Sequence, residues 1–475
     1  MNDTSSNSLG GLPLPPPAVA PPLDPRFRPA VLATRAFRDS VRRAGAALPV
    51  TVALEQADGS VFHFPTVIAR ESSPLAAGNY SYAERLVKFL LWSRGGFRVG
   101  LDAPASLCER LQKHFAADPT GAFDAEIMGD RVYERKFEVV RASGGDLPPA
   151  RERTAPLGRH LEGCRIGFDL GASDRKAAAV IDGEAVFSEE IVWDPVSQKD
   201  PQWHFDQIMD TLKRAAAHLP RVDAIGGSAA GIYVNNRVKV ASLFRGVPRP
   251  LFDARVKDLF LEMKRAGGNI PFEVANDGEV TALAGSMSIG DNSLLGTSLG
   301  SSQAGGYVTA DGNITCWLNE LAFVPVDYAP GAPVDEWSKD FGCGVQYFSQ
   351  QCVGRLLPAA GIDADPALPL PERLKHLQSL MNQSDPRAMK VYETIGVYLG
   401  YAVAHYTDFY DVRNVLILGR VTTGAGGGVI IEKAREVLQK EFPELHRRIA
   451  FHIPDEKDRR HGQAVAAASL PVVER

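Results

Sequence analysis

The chain has 475 residues, of which 45% are hydrophobic and 23% charged, and its formal net charge is −5. This is the composition of a globular protein with two or three domains, and it lacks the basic excess typical of nucleic-acid-binding proteins. The five cysteines are scattered, which favours a reducing compartment over a disulfide framework. No apolar run reaches the roughly 18 residues of a membrane helix. The N-terminus shows no signal-peptide pattern, so we expect a cytoplasmic protein.

The first 150 residues contain no constellation of chemically active side chains. Residues 1–27 are rich in proline, which favours extended backbone and packs no core, and they predict a disordered tail. Residues 28–150 predict an accessory α+β domain. Its predicted elements are a β-hairpin over 50–64, a helix or strand–helix junction over 83–92, a helix over 105–115 and a strand over 131–140. Partner contact, dimerisation and an active-site lid all remain open as its role.

From residue 164 onward, strands alternate with helices, and the first elements form two hairpins. Residues 165–190 predict a strand, a polar turn, a second strand, an Asp-Gly turn and a third strand. The polar turn combines an acid, a glycine, a hydroxyl and a cation, namely Asp169, Gly171, Ser173 and Lys176. Such a turn can bind phosphate while its acid holds Mg²⁺. An ordinary polar turn has the same composition, so both interpretations stay open.

Two further strands of this half end in small or polar residues. Strand 222–225 enters a small-residue loop that contains Gly231, and strand 271–275 ends at Asn276-Asp277, before an alanine-rich helix. Ligands of open α/β sheets bind at the carboxyl ends of strands, so these residues are candidates for a binding site. Asp277 also suits the N-cap of the helix that follows, and the sequence leaves both roles open.

The order of elements then appears a second time, from residue 291. Strand 293–299 enters a Gly/Ser-rich turn, and a second Asp-Gly turn follows at 311–312. An insertion over about 317–387 is followed by a long helix and then by a buried strand. This strand ends at a glycine-rich turn, which comprises residues 419–424. We therefore predict two similar lobes, residues 164–290 and 291–475, with a cleft between them.

This set of motifs resembles the ROK family of bacterial sugar kinases and repressors, within the superfamily of sugar kinases, heat-shock proteins and actin. The resemblance covers residues 164–475 and does not include the first 150. It implies an α/β fold of two ribonuclease H-like lobes, the actin-like ATPase fold, to which the N-terminal α+β domain is added. It also implies ATP and Mg²⁺ as cofactors, a sugar or polyol as acceptor and a homodimer.

Five segments are similar to family motifs, in the family's order. They are the first phosphate motif at 169–176, the sugar-lining loop at 228–234, the Asn276-Asp277 pair, the second phosphate motif at 296–300 and the adenosine motif at 418–424. The resemblance implies that Asp277 is the general base. The other implied sites are the substrate contacts Gly231, Asn276 and Glu320, a water-mediated Mg²⁺ ligand at Asp169, and the nucleotide contacts Gly171, Ser173, Lys176, Gly296, Thr297, Ser298, Gly419 and Gly424.

One stretch departs from the family pattern. The family has Glu-x-Gly-His and then a cysteine-rich cluster that holds zinc, whereas this chain has Glu320-Leu-Ala-Phe323 and only Gly342-Cys343-Gly344. Four zinc ligands cannot be assembled, so we expect no structural zinc, and buried thiols at Cys343 and Cys352. The missing histidine normally contacts the sugar, so the identity of the acceptor stays open.

We therefore expect an ATP- and Mg²⁺-dependent kinase of a sugar or related polyol. One alternative is a non-catalytic regulator that binds sugar or nucleotide on the same fold, and another is a hydrolase or acetate-kinase-like enzyme. The first 150 residues show no basic helix-turn-helix like that of the family's repressors, which argues against nucleic-acid binding. An acidic acceptor would need several cations near Asn276, and Arg245 is the one candidate.

Overall fold

The computed structural model describes residues 8–142, 146–152, 157–454 and 456–473. Residues 1–7 of the predicted tail, and residues 143–145 at the predicted domain boundary, lie outside the described residues. Within the described ranges, no helix is both long enough and apolar enough to cross a membrane.

The N-terminal region, residues 8–142, forms a four-stranded sheet with helices packed on it. Its elements are β1 (Ser8–Leu9), β2 (Leu12–Pro13), α1 (Ala30–Arg43), β3 (Ala47–Glu55), β4 (Val61–Ala69), α2 (Asn79–Arg94), β5 (Arg98–Asp102), α3 (Ala105–Ala117), α4 (Pro119–Ala125) and β6 (Glu138–Ala142). The sheet has the order β4-β3-β5-β6, with only the last pair parallel. Helix α2 is buried almost all round, as expected of a helix with neighbours on every side.

The predicted strand over 131–140 is wrong for most of its length. Residues 126–133 are helical, and the strand begins only at Glu138. Met128, Val132 and Tyr133 are spaced as on one face of a helix, and all three are buried. The helical spacing of the apolar residues therefore determines the local structure here, although valine and tyrosine favour strands.

Residues 8–27 are not a disordered tail in this structure. The side chains of Leu12, Leu14 and Phe27 are buried, and the backbone N–H of Val19 donates to the Tyr401 hydroxyl at 3.1 Å. Extended proline-rich chain cannot pack on itself, but its apolar side chains and free N–H groups can meet an existing surface. That surface belongs to the second lobe, whose apolar core is continuous with that of the N-terminal region.

The first lobe follows the predicted order of elements. It contains β7 (Cys164–Leu170), β8 (Asp174–Ile181), β9 (Glu184–Val192), α5 (Pro201–Ala216), β10 (Ala224–Ala229), β11 (Ile232–Val234), β12 (Arg237–Val240), α6 (Arg249–Leu251), α7 (Leu259–Ala266), β13 (Phe272–Asn276) and α8 (Asp277–Ile289). Its sheet has the order β13-β10-β7-β8-β9. The central strand β7 is buried at every residue, because the sheet is covered on both faces.

The second lobe repeats this pattern with fewer strands. It contains β14 (Leu294–Leu299), β15 (Gln303–Val308), α9 (Gln350–Ala359), α10 (Leu370–Asn382), α11 (Pro386–Tyr406), β16 (Asn414–Leu418), α12 (Ala425–Glu441), α13 (Pro443–Arg448), β17 (Ala450–His452) and α14 (Glu456–Ala468). Its sheet has the order β15-β14-β16-β17. After the Asp-Gly turn at 311–312, where the repeated order of elements predicts a third strand, Ile314 forms isolated bridges to Val308 and to Leu157. The predicted α/β fold with two similar lobes is confirmed.

The last helix, α14, returns to the first lobe and packs on β7 and β10. Gly167 and Gly226 permit this approach, since a Cβ on either would collide with the backbone carbonyl of Ala464 or Ala467. Residues at the end of the chain thereby reach the strand that carries Asp169.

Candidate active site

Three glycines bring the first turn of α8, strand β15 and the segment 319–321 into close contact. A Cβ on Gly306 would collide with the carbonyl group of Gly278. A Cβ on Gly278 would strike the Gly305 carbonyl, and a Cβ on Gly305 would lie 2.5 Å from the Asn319 carbonyl oxygen. Only glycine allows two backbones to approach this closely. Gly305 and Gly306 had not been singled out from the sequence, although their Gly-Gly pair in a strand is a signal of close backbone approach.

Asn276, and not Asp277, caps helix α8. The Asn276 Oδ1 accepts from the Gly278 N–H at 2.7 Å, and its Nδ2 donates to the Gly231 carbonyl at 2.7 Å. Asp277 is the first residue of the helix, and its Oδ1 lies 2.9 Å from the same Gly278 N–H. The capping role that the sequence left open for Asp277 therefore falls to its neighbour. Asn276 also connects the helix to the Gly231 loop, so Asn276, Gly231 and Asp277 lie together.

Four carboxyl groups near this contact have raised pKa values. Burial raises the pKa of Asp277, and burial together with the Asp277 charge raises that of Glu320 to about 7. Burial and the nearby Glu320 raise the pKa of Glu279 to about 8. Burial raises the pKa of Asp169 to about 6, with a smaller contribution from Asp277. No basic side chain among the described residues forms an ion pair with Asp277, Glu279 or Glu320. Such clusters of perturbed acids are typical of functional sites.

Glu279 was missed by the sequence analysis. It lies in the first turn of α8, is 9% exposed, and accepts from the Asn319 Nδ2 at 3.3 Å. An acid at the start of a helix is ordinarily a surface residue that complements the helix dipole. Only its burial beneath segment 319–321 makes it part of the site.

Asp169 is hydrogen-bonded to residues from two distant parts of the chain, and it faces a lysine of its own hairpin. Its Oδ1 accepts from the Ser228 hydroxyl at 2.8 Å and from the Gln463 Nε2 at 3.2 Å, and Gln463 also donates to Ser228 at 2.9 Å. The Lys176 ammonium lies 3.9 Å from the Asp169 Oδ2 and 3.3 Å from Asp174. Lys176 is thus near the phosphate turn, but two carboxylates already attract it. Gln463 was also missed, because nothing in the local sequence of α14 marks it.

The first predicted phosphate turn forms the tip of the β7–β8 hairpin. The Gly171 N–H donates to the Asp174 carbonyl at 2.9 Å, and its own carbonyl accepts from the Trp193 indole at 2.8 Å. Ser173 is exposed, with its hydroxyl 2.9 Å from the Asp174 carboxylate. The hairpin tip is therefore ordered by its own contacts, and Gly171, Ser173 and Lys176 lie at or next to it.

The second predicted phosphate motif is only partly at a hairpin tip. Gly296 and Thr297 lie inside strand β14, and Thr297 is 2% exposed, with its hydroxyl 3.3 Å from the Gln303 side-chain amide across the hairpin. Ser298 is partly exposed, and the tip itself is the segment 300–302. Thr297 therefore lies within the paired part of the hairpin and not at its tip, because strand pairing with β15 continues past it. Its contact with phosphate stays a prediction.

A cavity of about 660 Å³ opens at the carboxyl ends of β16 and β17, between α8 and α14. Its lining comprises Thr281, Ala284, Gly285, Ser288, Ile289, Leu416, Leu418, Gly419, Arg420, Thr423, Phe451, His452, Ile453, Pro454, Gly462 and Gln463. This volume suits a nucleotide-sized ligand. Gly419 has a φ of 99°, and Gly424, with a φ of 75°, precedes α12. The lining includes Gln463, so the cavity extends to the residue that contacts Asp169.

Arg245, Cys343 and Cys352 are the remaining residues that the sequence singled out. Arg245 of the first lobe stacks over the Trp337 ring of the second lobe at 5.5 Å, and Trp337 is half exposed. Cys343 and Cys352 are buried free thiols, as predicted, and burial raises the pKa of Cys343 to about 12.

Comparison with known proteins identifies similar folds. No model of a known protein family matches the chain, and no curated protein matches it. A ROK hexokinase from Thermus thermophilus superposes with a TM-score of 0.49 at 19% identity, over 64% of this chain and 97% of the hexokinase. A ROK-family glucokinase from Streptomyces griseus, solved with glucose and AMPPNP, gives 0.48 at 19%, over 65% and 99%. A ROK-family transcriptional regulator homologous to the E. coli MLC protein gives 0.50 at 18%, over 65% and 79%.

At these identities the likeness concerns the fold. A shared fold does not establish a shared function, so a function has to be argued from the residues of the site. The chain is therefore similar in fold to a ROK-family transcriptional regulator, over 65% of its own length.

Proposed function

We propose that the protein phosphorylates a hydroxyl group of a sugar or related polyol, using ATP and Mg²⁺. The observation that carries this proposal is the continuity between the nucleotide-sized cavity and the group of carboxyls. Gln463 lines the cavity and donates to Asp169 at 3.2 Å. Asp277 lies near enough to Asp169 to raise its pKa. The adenosine of ATP would occupy the cavity, and its γ-phosphate would point toward Asp277.

Asp277 is the proposed general base. In the reaction the hydroxyl oxygen of the acceptor attacks the γ-phosphorus of ATP, and the hydroxyl proton passes to an Asp277 carboxylate oxygen. The bond between the γ-phosphorus and the oxygen that bridges it to the β-phosphorus breaks, which releases ADP. Burial raises the pKa of Asp277, which makes it a stronger base than an ordinary aspartate. Asn276 holds the start of α8 against the Gly231 loop, and Glu320 would accept hydrogen bonds from the other hydroxyls of the acceptor.

Asp169 fits the role of a water-mediated Mg²⁺ ligand. Its Oδ1 is hydrogen-bonded, whereas its Oδ2 lies 3.9 Å from Lys176, beyond hydrogen-bond range. The described residues include no group of three potential metal ligands. Mg²⁺ at phosphotransfer sites requires no such group, because water and the phosphates of the nucleotide complete its coordination. Bound with ATP, the ion would neutralise charge on the phosphates, while Ser228 and Gln463 keep Asp169 in place.

Asp277→Asn tests the proposal, because it keeps the shape of the side chain and removes the base. We expect turnover to fall by about 10²- to 10⁴-fold with ATP affinity unchanged. Asp311→Asn is the matched control, since Asp311 is exposed in an Asp-Gly turn that asparagine also accepts. The assay couples ADP release to a panel of sugars and polyols. Wild-type turnover in Asp277→Asn would exclude Asp277 as the base.

A non-catalytic regulator is the second candidate, and two observations favour it. The Thr297 hydroxyl is buried against Gln303, and Lys176 is held between Asp169 and Asp174. Both side chains, which the sequence predicts to contact the phosphates of the nucleotide, thus have partners within the protein. Calorimetric binding of ATP and of a sugar, without ADP release for any acceptor of the panel, would select this candidate over the kinase.

A further inference from the structure

The C-terminal end of helix α2, in the N-terminal region, contacts the segment that carries Glu320. The Asn319 N–H donates to the Ser93 carbonyl at 3.0 Å, and the Glu320 N–H donates to the Trp92 carbonyl at 3.0 Å. The last four carbonyl groups of a helix have no hydrogen-bond partner within the helix. Two such carbonyls of α2, which would otherwise bond to water, accept hydrogen bonds from segment 319–320. The backbone of segment 319–320 is therefore hydrogen-bonded to a helix outside both lobes.

The side chain of Trp92 supports the same segment. Its ring stacks on that of Phe323 at 4.1 Å between centroids and 27° between planes. Its indole Nε1 donates to the Asp124 carboxylate at 2.8 Å, and the Lys88 ammonium lies 3.0 Å from that carboxylate. Trp92 is 1% exposed. Because this large ring is buried, bonded through its N–H and stacked on Phe323, its orientation is restricted, and Phe323 is held against it.

Asn319 continues this connection to the acid group. It has a φ of 51°, in the left-handed region that asparagine adopts more readily than most residues. Its Nδ2 lies 3.3 Å from the Glu279 Oε1, and its Oδ1 accepts from the Tyr410 hydroxyl at 3.0 Å. The residue before Glu320 is thus fixed on its backbone by α2 and on its side chain by both lobes.

We propose that helix α2 is a built-in part of the acceptor site, and that Trp92 is a positioning residue which fixes Glu320 for contact with the acceptor. This inference rests on the proposed function in that it takes Glu320 as an acceptor contact. It assigns the N-terminal region a role in acceptor recognition and not that of a detachable docking module. The region differs from a lid, because its core is continuous with that of the second lobe.

Two substitutions at Trp92 and one control test this inference in the full chain. Trp92→Leu removes the stacking ring and the indole N–H, whereas Trp92→Phe retains a ring. Phe115→Leu is the control, because Phe115 is a buried residue of the same region that packs on Phe137, with a ring-centroid distance of 5.1 Å. The first measurement is amide hydrogen exchange of segment 317–323 without ligand. The second is the KM for acceptor and for ATP in each variant.

We expect Trp92→Leu to speed exchange of the Asn319 and Glu320 amides and to raise the acceptor KM by roughly 10- to 100-fold, with the ATP KM unchanged. Trp92→Phe recovers part of the loss, and Phe115→Leu lowers the melting temperature without either effect. Wild-type exchange in Trp92→Leu would overturn the inference even if no acceptor were found. A wild-type protein that phosphorylates nothing, with exchange still increased in Trp92→Leu, would refute the proposed kinase but keep the positioning contact.

Discussion

Glu279→Gln is predicted to stabilise the protein at neutral pH and to have little effect in acid. Glu279 is 9% exposed, and its surroundings provide the Asn319 amide as a donor and the Glu320 carboxyl as a like charge. Burial and this neighbour raise its pKa from 4.5 to about 8. Glutamine is isosteric, keeps an oxygen for Asn319 to donate to, and carries no charge at any pH.

The sign and size follow from linkage. The folded state holds the Glu279 proton more tightly than the unfolded state, so stability is lost as pH rises from about 4.5 toward 8. At pH 7 the cost of Glu279 is roughly 3 kcal/mol, and at pH 5 it is under about 1 kcal/mol. Unfolding entropy of about 2.1 cal/mol/K per residue amounts to ~1 kcal/mol/K for 475 residues, so we expect a gain of ~3 °C at pH 7.

Thermal unfolding of wild type and Glu279→Gln at pH 5 and pH 7, in matched buffers, measures this difference. Glu109→Gln is the control, because Glu109 is an exposed glutamate on α3. If Glu279→Gln shifts the melting temperature equally at the two pH values, the pKa of Glu279 is not raised in the folded protein. A loss of stability at pH 7 would show that its charge is compensated by a group not paired with it in the structure.

Three further predictions concern the nucleotide cavity and the tail. Gly419→Ala should weaken ATP binding in calorimetry, because its φ is 99° and a Cβ would lie 2.5 Å from the Leu299 carbonyl oxygen; unchanged affinity would exclude this turn from the nucleotide site. Leu12→Ala should lower the free energy of unfolding in urea by about 2–5 kcal/mol, and a negligible change would return residues 8–27 to a loose tail. Gln463→Leu should raise the KM for MgATP several-fold while leaving the acceptor KM unchanged, since it removes a donor to Asp169; a change confined to the acceptor KM would contradict this role.

The N-terminal region contacts both lobes. It shares its core with the second lobe, and Glu134 forms ion pairs with Lys239 at 3.2 Å and Lys257 at 2.9 Å in the first lobe. These ion pairs hold the Glu134 pKa below its ordinary value, against the effect of burial. The region thus contacts both sides of the cleft, in addition to the Trp92 contact with segment 319–323.

Local sequence patterns predicted most of the fold, because turns and strand ends depend on near neighbours. The Asp182-Gly183 turn has φ values of 49° and 88°, as an Asp-Gly hairpin requires. Strand β16 was predicted with its observed bounds, 414–418. The order of strands and helices in each lobe followed from alternation and helical periodicity, which are likewise local. The Asn276-Asp277 pair at a strand end was located in the same way.

Only the tertiary structure decided which groups meet at the site. Gln463 reaches Asp169 across 294 positions of sequence, and Glu279 became a site residue because segment 319–321 covers it. Thr297 lies inside a paired strand and not at the hairpin tip, because β14 pairs with β15 as far as Leu299 and Gln303. The burial, capping role and ionisation of a side chain depend on which distant segment packs against it. The residues next to that side chain in the sequence do not indicate this contact.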